Sequence, residues 1–302
     1  MKAIAKSLLN RLPYVKNLYQ QTAITNKNSF YPAGHYHSPI ASVDDLLQRE
    51  GEIWKNAGVD GIKGIELNTD SQIALARQFA RYYADLPFKS KKDGRLRYWF
   101  ENNYYSYTDG TVLYSMIRHF KPERIIEVGS GHSSALMMDV NELFFQNSIS
   151  LNFIEPCPER LYSLMSEEDK QHSVVWEKPV QTMDPSFFGQ LQPGDILFID
   201  SSHVSKCGSD VNYIFSEVLP SLNKGVLVHF HDVFYPFEYP KEWVLSGRSW
   251  NEDYLLKAFL MYNKEFPIRI FSNYLHIHHK DAFRDMPLTY LNTGGNFWME
   301  KN

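Results

Sequence analysis

Two short stretches carry side chains that could act together on a substrate. DILFIDSSH, residues 195–203, ends an apolar run in Asp200 and reaches His203 three residues later. VLVHFHDVF, residues 226–234, ends another apolar run in His231 and Asp232. Histidine beside carboxylates suits two kinds of work. An imidazole near its ordinary pKa of about 6.5 takes a proton at neutral pH, and a neighbouring acid orients it. The same donor set can hold a divalent cation. For each histidine alone, a hydrogen bond inside the fold is the competing reading.

These four residues converge only if both stretches end at the same edge of one sheet, and the surrounding rhythm predicts that. From residue 123 the chain alternates short apolar runs with helical patterns. ERIIEVGS, SLNFIEP, HSVVWEKPV, DILFIDSS and GVLVHFHDV read as strands, and SSALMMDVNELFFQ, PERLYSLM and SDVNYIFSEVLPSL as helices. Continuous apolar strands alternating with helices mean a parallel sheet covered on both faces, an α/β fold of the doubly wound, Rossmann-like kind. A long loop over 234–250 follows, rich in Phe234, Tyr235, Phe237, Tyr239, Trp243 and Trp250, which suits the wall of a ring-shaped acceptor. After the helix EDYLLKAFLMYN, PIRIFSNYLHIH and NFWMEK read as strands that could pair as a hairpin, making the last strand antiparallel. HIHH, 276–279, is read as structural. Residues 1–106 read as an N-terminal helical and aromatic extension packed on a domain over 107–302. SVDDLLQREGEIWKNA is a helix capped by Ser42, DSQIALARQFARYYADL one capped by Asp70 or Ser71, and ENNYYSYTDG a loop entering the helix TVLYSMIRHF.

At the turn after the first of these strands stands IIEVGSGHSS, residues 125–134. Gly129 and Gly131 let a ligand touch the backbone where a side chain would collide. Glu155, ending the next strand 24 residues after Gly131, could accept hydrogen bonds from two ribose hydroxyls. The dinucleotide fingerprint needs a third glycine where this chain has Ser134. Glu127, inside the strand end, would repel a pyrophosphate but suits a ligand carrying an ammonium and a sulfonium. A nicotinamide-dependent oxidoreductase is therefore the weaker reading, and no Tyr-x-x-x-Lys or comparable hydride-transfer site stands in the chain. A cofactor-binding scaffold without catalysis is a third.

Together, ExGxG on the first strand, an acid ending the second, an Asp ending the fourth and the terminal hairpin resemble the class I S-adenosylmethionine-dependent methyltransferases, over residues 120–300. The resemblance implies S-adenosylmethionine as cofactor. Gly129 and Gly131 would border its methionine part, with Glu127 facing the ammonium directly or through water. Glu155 would take the ribose hydroxyls, and Val180 and Gln181 would lie near the adenine. Tyr105 and Tyr107 could close over the cofactor. The layout is further similar to small-molecule O-methyltransferases of the catechol and antibiotic-sugar types. There an Asp after the fourth strand and two polar residues after the fifth hold magnesium; Asp200, His231 and Asp232 match those places. His231 departs from the pattern, since magnesium prefers oxygen, so a cation there would be a softer one such as manganese or zinc. His203 falls where the catechol enzymes place a lysine base. The implied activity is methyl transfer to a hydroxyl of a small molecule, with His203 as catalytic base and Asp200 and Asp232 orienting groups or holding an ion.

Composition bounds the partners. The chain has 302 residues, 43% of them hydrophobic, enough for a sizeable core. A net charge of −4 argues against nucleic acid as partner. No apolar run reaches the ~18 residues of a membrane span, and the first residues lack the pattern of a signal peptide. Cys157 and Cys207 have no metal-type spacing, which fits a reduced, cytoplasmic setting. Lys2, Lys6, Arg11, Lys16 and Lys27 all precede the first acid, Asp44. This basic arm reads as a solvated helix packed on the body or on a second subunit of a homodimer, with weak attachment to an anionic surface as the sharper alternative.

Overall fold

The structure, a computed structural model, describes residues 12–302. They divide into two compact units, one of residues 12–55 with Val244–Ser249 and one of Asn56–Trp243 with Trp250–Asn302. In the first, Pro13 opens a helix over Pro13–Asn28, and the Ser42 hydroxyl accepts a hydrogen bond from the Asp45 N–H to cap Val43–Gln48. Lys16 and Lys27 lie on the first of these helices; Lys2, Lys6 and Arg11 of the basic arm lie outside the described residues.

The second unit is built on a seven-stranded sheet: β1 Arg124–Val128, β2 Ser150–Ile154, β3 Ser173–Trp176, β4 Ile196–Ile199, β5 Leu227–Phe230, β6 Ile268–Phe271 and β7 Phe297–Glu300, in the order β3-β2-β1-β4-β5-β7-β6. β1 to β5 are parallel, and β7 enters antiparallel between β5 and β6. The apolar runs predicted as strands are buried as such: ILFI and LVHF have no exposed position. Helices pack on the sheet, among them α1 Thr69–Tyr83, α2 Tyr107–Phe120, α3 His132–Phe145, α4 Glu252–Leu260 and α5 Ser272–His278. Leu75, Phe79, Phe88, Tyr98 and Phe100 belong to the same continuous core as the strands. Among the described residues no helix is long and apolar enough to cross a membrane.

Two readings are corrected. β6 and β7 pair antiparallel as expected, but the end of PIRIFSNYLHIH is the helix α5 and not strand, and 272–296 intervene between the two strands. Adjacent Tyr274 and Leu275 are both buried while Ile277 is 43% exposed. The backbone sets the helix: His279 N donates to the Leu275 carbonyl at 2.8 Å, the four-residue spacing of an α-helix. In addition, α2 starts at Tyr107, inside the stretch read as a loop, and α1 starts at Thr69 after Asn68 in a left-handed conformation.

The sheet order places a switch point between β1 and β4: from β1 the chain winds outward through β2 and β3, then returns to β1's other side. In such sheets a crevice opens beyond the carboxyl ends of the strands. The register makes this edge an aligned row. Val128 pairs with both Ile154 and Ile199, and Ile199 with Phe230. The residues one step on, Glu155, Gly129, Asp200 and His231, therefore lie abreast. The ladder even extends to them: Gly129 N donates to the Ile154 carbonyl at 3.0 Å, Asp200 N to that of Val128 at 2.9 Å and His231 N to that of Ile199 at 3.0 Å.

Candidate functional site

Two adjoining cavities open at this edge. One, of about 450 Å³, runs past Glu155, Val180, Gln181, Lys206 and Asp210. The other, of about 360 Å³, runs past Tyr104, Tyr105, Gly131, His203, His231, Asp232 and Trp250. They share Gly129, Glu155, Asp200, Ser201 and Ser202. The two cavities therefore adjoin along the loops that follow β1, β2 and β4.

Gly129 has φ +82°, and an added Cβ would run into the carbonyl of Asp200. The β1 and β4 loops can approach this closely only because residue 129 is glycine. Beneath the loop, Glu127 is fully buried. Ser133 donates to its Oε1 at 2.5 Å and Ser134 to its Oε2. Ser134 Oγ also accepts from the Gly131 N–H at 2.9 Å. The residue that replaces the third glycine thus ties the loop to the strand acid. Burial raises the Glu127 carboxyl to about 8, against the lowering pull of the serine hydroxyls. Glu155 is fixed by two backbone donors, Ser130 N at 3.0 Å and Cys157 N at 2.8 Å. Such a carboxylate accepts about four hydrogen bonds, so capacity remains for a ligand.

The titratable residues predicted on the fourth and fifth strands do meet. His203 Nε2 lies 3.4 Å from Asp200 Oδ1 and 3.8 Å from Asp232 Oδ2; His231 Nδ1 lies 3.5 Å from both Asp200 Oδ1 and Asp232 Oδ1. His203 and Asp232 have φ +58° and +57°. A non-glycine residue in the left-handed region costs roughly 1–3 kcal/mol and persists only where its surroundings impose it. Behind Asp232 stands Gly295, where a Cβ would come within 2.9 Å of the Asp232 Cα.

Two further acids complete the cluster, and sequence reasoning passed over both. Asp109, in the first turn of α2, lies 3.8 Å from His231 Nε2 and accepts from Gly295 N at 2.8 Å and Asn296 Nδ2 at 3.0 Å. Glu252, opening α4, lies 2.9 Å from His203 Nδ1. Neither follows a strand of the predicted crevice; their nearest signal is an acid at the start of a buried helical pattern.

Four carboxylates around two buried imidazoles favour the charged form of both rings. Burial works to lower His203, but Asp200 and Glu252 outweigh it and push it up to about 10. The expectation of an ordinary value near 6.5 is therefore corrected. For His231, too, burial is outweighed, chiefly by Asp232 and Asp200, and its pKa stands well above the usual range. Asp200 is held well below the carboxylate range: burial opposes, but His231 and His203 prevail. Burial keeps Asp232 raised against the same two histidines.

Asp200, His231 and Asp232 offer ligand atoms within 4.8 Å of one another, alone in doing so among the described residues. Both ring nitrogens of His231 are buried without a hydrogen-bond partner.

The remaining predicted residues divide. Val180 and Gln181 line the first cavity, and Tyr105 lines the second with its ring 5.0 Å from that of His231. Tyr107 lines neither; its ring stacks on Phe100 at 5.2 Å and its hydroxyl donates to Glu101. Of the aromatic stretch 234–250, Tyr235, Phe237 and Tyr239 are buried as packing, and Trp250 is the member that lines the cavity. The expectation of an aromatic acceptor wall narrows to that residue.

Comparison with known proteins follows the same ground. Residues 126–233, from β1 to just past β5, match the family described as Methyltransferase domain. An uncharacterised protein of Archaeoglobus fulgidus is 30% identical over 164 residues, which is 54% of this chain and 74% of that protein. Among solved structures, the chain is similar to the SAH-bound Podospora anserina methyltransferase PaMTH1, with 16% identity, 80% of this chain and 93% of that one covered, and a TM-score of 0.38. It is also similar to CalS11, a calicheamicin methyltransferase, at 11% identity, 80% and 98% coverage and a TM-score of 0.41. Residues 126–233 of this chain are thus a methyltransferase domain.

Proposed function

We propose that this methyltransferase moves the methyl group of S-adenosylmethionine to a hydroxyl of a small molecule, and that His203, Asp200 and Asp232 serve the acceptor. The observation that carries this reading is the convergence of His203, His231, Asp200 and Asp232 on a cavity of about 360 Å³ that shares Gly129 and Glu155 with its neighbour. A volume of that size suits a small acceptor.

In this reading Glu155 accepts the two ribose hydroxyls, Val180 and Gln181 flank the adenine, and Gly129 and Gly131 leave room for the methionine part. Glu127, buried beneath the loop and lining neither cavity, meets the ammonium through water. The acceptor oxygen attacks the methyl carbon as the carbon–sulfur bond breaks, and the sulfur leaves as a neutral thioether. The protein's work is alignment and the removal of one proton. His203 Nε2, toward the cavity between Asp200 and Asp232, is the atom that takes the proton.

His203 must first lose the proton that its carboxylate neighbours hold on it. Asp200, His231 and Asp232 bring ligand atoms within 4.8 Å of one another and would hold a divalent cation once His231 gives up its proton, its ring nitrogens having no hydrogen-bond partner among the described residues. Bound there, such a cation would lower the pKa of an acceptor hydroxyl and offset the carboxylate charge around His203. The test is direct titration of manganese or zinc into the protein. Binding that is lost in Asp232→Asn is expected. Absence of binding in the wild type would leave His203 with the carboxylates alone, and the cation part of the proposal would be wrong.

Two further results are expected at the cofactor end. Glu155→Ala should weaken binding of the product S-adenosylhomocysteine by about 1–3 kcal/mol, the range for hydrogen bonds left unmade in a buried site; unchanged calorimetric affinity would remove Glu155 from the ribose. Glu127 gives a pH dependence. Its raised carboxyl is protonated in the free protein below about 8. Pairing with an ammonium requires the ionised form, so binding releases a proton there. Affinity should therefore rise with pH between 6 and 8, by at most about tenfold per pH unit, and level off above. Calorimetry in buffers of different ionisation enthalpy would count the proton; none released near pH 6.5 would contradict the pairing.

A further inference from the structure

We propose that Glu252 is the positioning residue of His203, holding the imidazole by Nδ1 so that Nε2 is presented to the cavity between Asp200 and Asp232. The proposal rests on reading His203 as the group that takes the acceptor's proton. It goes beyond that reading in naming what aims the ring.

Glu252 is 1% exposed. Its Oε2 stands 2.9 Å from His203 Nδ1, while Oε1 has no hydrogen-bond partner. A buried carboxylate is costly unless it is paired and hydrogen-bonded. Among the described residues, the side chain that offsets the cost is His203. A carboxylate placed only for packing would leave no reason for an acceptor at this one atom; an apolar residue of the same length would fill the space without the desolvation cost.

The backbone contacts point the same way. His203 has φ +58°, and its carbonyl accepts from both Asn251 N at 3.0 Å and Glu252 N at 3.2 Å. Asn251 continues the clamp, with Oδ1 accepting from Ser205 N at 2.6 Å. The main chain of His203 is thus pinned in an unfavourable conformation by the same two residues, 251 and 252, whose second member grips the ring. With Nδ1 committed to Glu252 as a donor, Nε2 is the nitrogen left for the substrate, and it faces Asp200 at 3.4 Å and Asp232 at 3.8 Å. An imidazole with Nδ1 free could turn over about χ2 and offer the wrong nitrogen.

Trp250, two residues before Glu252, lines the same cavity with its ring 4.4 Å from that of His203. An acceptor seated against Trp250 would therefore lie against the segment that aims the base.

The experiment uses the full chain with S-adenosylhomocysteine bound and ring-15N histidine. A hydrogen-bonded imidazole N–H gives a low-field, slowly exchanging proton, assigned to His203 by its loss in His203→Ala. The signal is expected in the wild type, lost in Glu252→Met, which keeps the bulk without a good acceptor, and retained in Glu252→Gln, whose amide oxygen can accept. Affinity for S-adenosylhomocysteine should change less than about threefold in both variants. With an acceptor in hand, kcat should fall about 10²-fold in Glu252→Met at little change in KM and recover largely in Glu252→Gln, in line with the loss of a placed proton acceptor. A low-field proton surviving in Glu252→Met would overturn the proposal, as would full kcat in that variant once the signal is gone. Full turnover in His203→Ala would instead refute the base role of His203, while the proton signal still decides whether Glu252 holds the ring.

Discussion

Gly129→Val is expected to leave no measurable S-adenosylhomocysteine binding. The glycine sits at φ +82°, and any Cβ there meets the Asp200 carbonyl, a backbone atom that cannot turn aside. Relief requires the ends of β1 and β4 to part, which moves Asp200 and displaces Ser130, whose N–H anchors Glu155. Gly129 and Asp200 line both cavities, so both are disturbed. The strain of the left-handed conformation and the forced overpacking add up to roughly 2–6 kcal/mol against the native loop. A domain with several kcal/mol in hand can survive that, so circular dichroism should report a folded, less stable protein. Calorimetry is the deciding reading. A folded variant that binds S-adenosylhomocysteine as tightly as the wild type would take this loop out of the site.

His203→Ala is expected to cut kcat by about 10²- to 10⁴-fold, the contribution of a well-placed proton acceptor, while S-adenosylhomocysteine affinity stays near wild type. The separation follows from geometry. His203 lines the cavity of His231, Asp232 and Trp250 and is absent from that of Val180 and Gln181. Losing it should therefore spare cofactor binding and strike the transfer step. A KM effect with kcat intact would mean that His203 binds the acceptor without moving its proton. Full activity would place the chemistry elsewhere. The carboxylate cluster that keeps His203 protonated also makes its turnover sensitive to whatever neutralises Asp200 and Asp232, so chelator and added manganese belong in the same assay.

The sheet was legible because each strand is a continuous apolar run ending in glycine, acid or histidine, and parallel register then sets those ends abreast. The same logic located Gly129, Glu155, Asp200, His203, His231 and Asp232. Other parts were hidden for physical reasons. Asp109 and Glu252 reach the cluster from the first turns of helices, and no local period marks which helix end faces a crevice. In SNYLHIH, alternation imitates a strand, but the backbone closes helical bonds, His279 N donating to the Leu275 carbonyl at 2.8 Å. Tyr107 looks like its neighbour Tyr105, yet two residues along a starting helix turn the ring toward Phe100. The pKa of His203 was the largest misreading, since it depends on Glu252, 49 residues away in sequence.

The central claim is transfer of a methyl group from S-adenosylmethionine to an acceptor oxygen. It is tested most directly by carbon-13 methyl-labelled S-adenosylmethionine, incubated with the protein and a panel of sugars and phenols, each beside its amine counterpart. Product NMR then shows which atom carries the label. The account predicts label on oxygen, formed in step with S-adenosylhomocysteine and lost in His203→Ala; label on nitrogen, with the hydroxyl compounds untouched, would contradict it.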